Sequence, residues 1–146
     1  QYFSGKNELV ENYLRTVDEV RGTPIELGLE KGRTELTPRG RLLAIFDASP
    51  VDRFRGCPFH NAAVESAGTW TNVDEIVRSN KRRFAEQLVA LSEEAGAADS
   101  YQLGHQLLVL FEGAAALATS LNDTVPFLHA RSAASQLIDA ATAAPA

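Results

Sequence analysis

Cys57, Pro58, Phe59 and His60 stand together in this chain. A thiol and an imidazole three residues apart share one face of a helix, where they could hold a metal or support thiol chemistry. The rest of the sequence argues against both. Cys57 is the one cysteine among 146 residues, so there is no second thiol for exchange and no four-cysteine zinc site. The other histidines, His105 and His129, fall in other expected helices without ligand spacing. No metal and no cofactor are expected, and Cys57 reads as a packed or pocket-lining thiol. Glu65 and Glu112 are the acidic residues best placed to face inward, yet neither sits in a catalytic pattern. There is no phosphate-cradling glycine loop and no GxSxG elbow. No catalytic residue is expected; a small helical enzyme using Cys57 and Glu65 is the remaining alternative in that class.

The same polar groups suit binding better than turnover. Pockets for small organic molecules are mostly apolar, with a few convergent polar groups. Leu14, Phe46, Phe54, Phe59, Trp70, Phe84 and Leu88 supply the apolar part, and Cys57, Asn61, Gln87 and Gln106 the polar part. For each aromatic, plain core packing is the more common role. Asn61, if buried, must be hydrogen-bonded, and capping a neighbouring helix would satisfy it equally.

These side chains need helices to position them, and the punctuation is helical throughout. The length fits one domain, with a core of its own. Gly22, Gly56, Gly68 and Gly96 fall where helices should stop. Thr37 before Pro38 reads as a cap and a first-turn proline; Asn72 with Glu75, and Asp99 with Gln102, have capping-box spacing. Asp123 or Thr124 caps the last helix. The spacing predicts helices over roughly 5–21, 38–55, 57–67, 73–95, 100–121 and 125–143, with a loop holding one helical turn at most between about 22 and 36. The first helix is expected to bury Leu9, Val10, Tyr13, Leu14 and Val17, and Pro50 to kink the second. No strand is expected; the class is all-α.

The last two helices are apolar on nearly all sides. A helix hydrophobic all round is buried. Two copies of the pair would build a four-helix bundle about a two-fold axis, through Leu107, Leu110, Gly113, Ala114, Leu117, Leu121, Ala130, Ala134, Leu137 and Ile138. A central core helix within one subunit is the alternative. The net charge of −5 gives no reason to expect nucleic acid or an anionic membrane on this portion, and the short run Lys81-Arg82-Arg83 reads as a solvated face. Residues 107–121 are too few for a membrane span and include Glu112. No signal peptide is visible, and a single cysteine fits a reducing, cytoplasmic setting.

The opening stretch YFSGKNELVENYL, residues 2–14, resembles the end of the DNA-binding head in TetR-family transcriptional regulators. An aromatic pair, Tyr2-Phe3, closes the recognition helix; the turn Ser4-Gly5 follows; Lys6 opens the next helix ahead of Leu9. TPRGRLLAIFDA (37–48), FRGCPFHNAAVES (54–66), IVRSNKRRFAEQLVALSEEAGA (76–97) and QLLVLFEGAAALA (106–118) resemble successive helices of that family, the last its dimerisation helix. Asn80 stands where one branch often has histidine, and the 22–36 loop is long and glycine-rich. The resemblance implies that residues 1–5 are a remnant of the helix-turn-helix and 6–146 an effector-binding and dimerising domain. It further implies a homodimer, usually a repressor, that binds a small, largely apolar effector. Operator DNA would be bound through a head preceding this portion, with Tyr2 and Lys6 touching its phosphates. A helical homodimerisation module that senses nothing is the alternative.

Overall fold

The computed structural model describes residues 5–30, 36–47 and 56–145. Among them lie seven α-helices and no strand: α1 Lys6–Val20, α2 Pro24–Glu30, α3 Pro38–Ala44, α4 Pro58–Ser66, α5 Thr71–Glu94, α6 Ser100–Leu121 and α7 Val125–Thr142. The all-α class is as expected. Thr37 caps α3 by accepting from the Gly40 amide, and Asp99 caps α6 by accepting from the Gln102 amide. Gly22, Gly56, Gly68 and Gly96 all take positive φ at the ends of helices or turns.

Four local expectations are corrected. The helix expected over 38–55 ends at Ala44, and a turn follows at 45–46. Residues 24–30 form two turns of helix rather than a loop. Pro24 sits in the first turn, where its missing N–H is harmless, and the Thr23 hydroxyl accepts from the Glu26 amide at 3.3 Å. The α5 start has Trp70 at the cap position without a side-chain bond, because the Asn72 amide instead donates to Glu11 across the α1–α5 seam. On α1, Leu14 is fully buried and Val10 and Val17 partly, but Leu9 and Tyr13 are 51% and 56% exposed. Helix α1 is covered on one side only, by α4 and α5, and Leu9 and Tyr13 share the open side with Val20. Pro50 and its expected kink lie outside the described residues.

Helix α5 is the spine, packing against α1, α2, α3, α4 and α6. It carries two apolar clusters. Toward its start, Val73 and Val77 join Leu14, Phe59 and Ala62. Toward its end, Phe84, Leu88 and Leu91 join Leu42, Leu43, Phe46, Leu103, Leu107, Ala134 and Ile138. Gly104 sets the close crossing of α5 and α6: a Cβ there would stand 2.8 Å from the Val89 backbone nitrogen. Only glycine lets the two backbones approach so nearly.

Candidate functional site

The residues expected to line one pocket divide between the two clusters. Leu14 and Phe59 are buried in the first, with half-buried Cys57 and Trp70 against them. Phe46, Phe84 and Leu88 are buried in the second. Asn61 is exposed on α4, Gln106 is half-buried on α6, and Phe54 lies outside the described residues. Phe111, not among the expected lining, joins the aromatic group: its ring centroid is 5.3 Å from Phe84, 5.9 Å from Phe127 and 6.2 Å from Phe46. The sequence could have shown it, since Phe111 follows Leu107 by one helical turn.

Between the clusters sits a polar junction that spacing did not reveal. The Lys81 ammonium ion-pairs with Glu112 Oε1 at 2.5 Å, linking α5 to α6, and stands 3.4 Å from the Cys57 thiol at the start of α4. Glu112 thus faces inward as expected, whereas Glu65 is on the surface and pairs with Lys6. Gly56, beside Cys57, has φ +78°, and a Cβ there would run into the Thr119 hydroxyl, so α4 begins hard against α6.

A second polar network fixes the far end of α1. Arg83 donates from Nη2 to Asp18 Oδ1 at 2.6 Å and from Nε to Glu26 Oε2 at 2.9 Å. Asn80, buried, also donates to Asp18; Gln87 and the buried Thr23 hydroxyl donate to Glu26. Burial pushes the Asp18 carboxyl up, but hydrogen bonds from Arg83 and Asn80, with the guanidinium charge, outweigh it and hold the carboxyl below its ordinary value. For Glu26, burial acts in the same upward sense and is outweighed by hydrogen bonds from Gln87, Arg83 and Thr23. Hydrogen bonds to the two carboxylates hold Arg83 protonated still more firmly. The run Lys81-Arg82-Arg83 is therefore not one solvated face: only Arg82 is exposed, because neighbouring helices cover both flanks of α5.

The outer side of α6 and α7 presents an apolar groove of roughly 520 Å³. Val109, Leu110, Gly113, Ala114, Leu117 and Leu121 of α6 line it, with Val125, Pro126, His129, Ala130 and Ala133 of α7. Val109 and Leu117 are 71% and 55% exposed. Three of the expected interface residues, Leu107, Ala134 and Ile138, are instead fully enclosed in their own subunit, holding α6 and α7 to the core. Leu137 is half-buried against the same core. Of the expected DNA-facing residues, Lys6 opens α1 and Tyr2 lies outside the described residues.

Among the described residues no group of three or more His, Cys, Asp or Glu could hold a metal, and no helix is long and apolar enough to cross a membrane. No family model and no curated protein matches the chain. A solved structure does. A TetR-family transcriptional regulator from Streptomyces coelicolor superposes with a TM-score of 0.80 at 23% identity, over 97% of this chain and 76% of that one. The seven helices thus define a transcription-regulator fold. More particularly, the fold is that of the TetR-family regulators, as the sequence resemblance implies.

Proposed function

We propose that this chain is the effector-sensing and dimerising part of a TetR-like transcriptional regulator. The observation that carries this reading is the shared fold over nearly the whole chain with a TetR-family regulator. The apolar groove on α6 and α7 supports the dimerising role. Its lining is small or aliphatic apart from Asp123 and His129, and a second copy related by a two-fold axis would cover both faces at once. A small, largely apolar effector would act by population shift, favouring one placement of α1 through its differential affinity for the two states. The clasp at Arg83 anchors the end of α1 farthest from Lys6, so the free travel belongs to the Lys6 end. There a head bound to operator DNA would feel it, with Lys6 exchanging Glu65 for a phosphate. Loss of operator binding on effector binding, the repressor polarity, is the expected sign.

Thermal-shift screening against hydrophobic compounds tests sensing, and light scattering tests the dimer. Hits that raise the melting temperature and a mass of two copies support the reading; neither at micromolar protein sinks it. A helical dimer that senses nothing is the second reading. It is favoured by one observation: Leu14, Phe84 and Leu88, expected to line the pocket, are fully packed. A dimer without any ligand-induced shift would select it.

A further inference from the structure

The Lys81–Glu112 pair keeps only 24% and 25% of its side-chain exposure. On α5, Val77 of the first cluster lies one turn before Lys81, and Phe84 of the second lies one turn after. On α6, Ala115 of the second cluster follows Glu112 by a turn. The pair therefore stands at the seam of the two clusters. Taking both charges from water is costly, and mutual attraction offsets it only when further hydrogen bonds fill the remaining donors and acceptors. Here the protein fills them only in part; neither side chain has a buried atom without a partner, so the remaining positions face solvent, where a ligand head could replace water. The ammonium has three donors and reaches one carboxylate oxygen and a thiol, which is a weak acceptor. Among the described residues, no donor reaches the second oxygen of Glu112.

Resting on the sensing role proposed above, we propose that this pair is the polar anchor of the effector site. The effector it fits is an uncharged amphipathic molecule whose head both donates and accepts a hydrogen bond: an alcohol, a phenol or a primary amide. The head's O–H or N–H donates to the open Glu112 oxygen, and its oxygen accepts from the Lys81 ammonium. The pair is neutral as a whole. A carboxylate or ammonium head would leave one net charge in a site three-quarters buried, and an uncompensated buried charge costs more than the added hydrogen bond returns. The apolar body is left to half-buried neighbours, among them Cys57 and Phe111.

A matched octyl series tests this: octanol, octanamide, octanoate and octylamine, titrated into the full chain at pH 7, where acid and amine are charged. Octanol and octanamide are expected to bind at least about tenfold more tightly than the charged pair. The double variant Lys81→Met/Glu112→Leu exchanges the ion pair for apolar groups of similar volume and is expected to abolish that preference. Lys81→Gln/Glu112→Gln serves if the first does not fold. Equal binding of all members, a preference for a charged one, or a preference that survives in the variants overturns the anchor and leaves sensing intact. If none binds while a broad hydrophobic screen yields ligands, the anchor alone is overturned. If none binds and the screen is empty, the sensing reading falls and the anchor with it.

Discussion

Replacing Arg83 by Met removes the positive charge that ties α1 and α2 to α5 while keeping most of the stem. The variant loses the bonds to Asp18 at 2.6 Å and to Glu26 at 2.9 Å. Two carboxylates then face each other's neighbourhood with only Asn80, Gln87 and Thr23 as donors. Breaking a fully buried pair costs about 3–5 kcal/mol, whereas exposed pairs contribute under about 1 kcal/mol. The side chains of Arg83, Asp18 and Glu26 are 33%, 28% and 35% exposed, so solvent screening places the cost between these limits, near 2 kcal/mol. In a chain of this size that lowers the melting temperature by roughly 4–8 °C. The pH dependence gives the sharper check. Asp18 and Glu26 are held below their ordinary values in the fold. The stability they contribute is therefore complete above their unfolded values, about 4, and is lost as the pH falls through the folded ones. In the variant burial acts without the guanidinium, and that dependence shrinks. Urea unfolding of both proteins at equal concentration, at pH 7 and pH 3, should show the full gap at the higher pH and a smaller one at the lower. A gap below about 0.5 kcal/mol at pH 7, or one equal at both pH values, refutes the reasoning.

Leu14→Ala should cost about 2–5 kcal/mol in denaturant unfolding, since Leu14 is fully enclosed, whereas Leu9→Ala on the open side should stay within about 0.5 kcal/mol; equal effects would mean α1 is rotated from its described position. Gly104→Ala forces a methyl onto the Val89 backbone and should cost about 1–3 kcal/mol; an unchanged unfolding midpoint contradicts the close α5–α6 crossing. A Cβ added at Gly113 meets nothing within 4 Å in its own subunit and the position is exposed, so Gly113→Glu should leave folding intact while halving the mass in light scattering; a persisting dimer would place the interface elsewhere.

Five of the seven helices were legible within a residue or two, because apolar spacing marked their extent, positive-φ glycines the ends of α1, α4 and α5, and the Asp99 cap the start of α6: α1, α4, α5, α6 and α7. Helix α2 was not, since Pro24 and Gly28 read as breakers and the cap that starts it is Thr23, whose hydroxyl is engaged with residues three and sixty-four positions away. The apolar excess of α6 and α7 was also legible, but not its division between core and outer groove. Alternate stripes of one helix carry similar residues: Leu107 is fully enclosed while Val109, two positions on, is open. Composition cannot separate them; only the position of α5 beneath α6 does.

The segment Asn80–Arg83 shows why the polar junctions escaped a reading by spacing. At about 100° per residue, one turn of α5 sends these four side chains to four different surroundings. Asn80 falls on the apolar stripe with Val73, Val77, Phe84 and Leu88, and is buried there because Asp18 accepts its amide. Arg82 points the opposite way, into solvent. Lys81 and Arg83 point to the two flanks, and whether a flank is wet depends on which helices lie beside it. Here α6 covers one, bringing Glu112, and α1 with α2 covers the other, bringing Asp18 and Glu26. A basic run on a helix with one buried face is a solvated surface. The same run on a helix packed by neighbours on three sides becomes two separate ion-pair seams, and those seams reinforce α5–α6, α5–α1 and α5–α2 contacts that the apolar clusters also make.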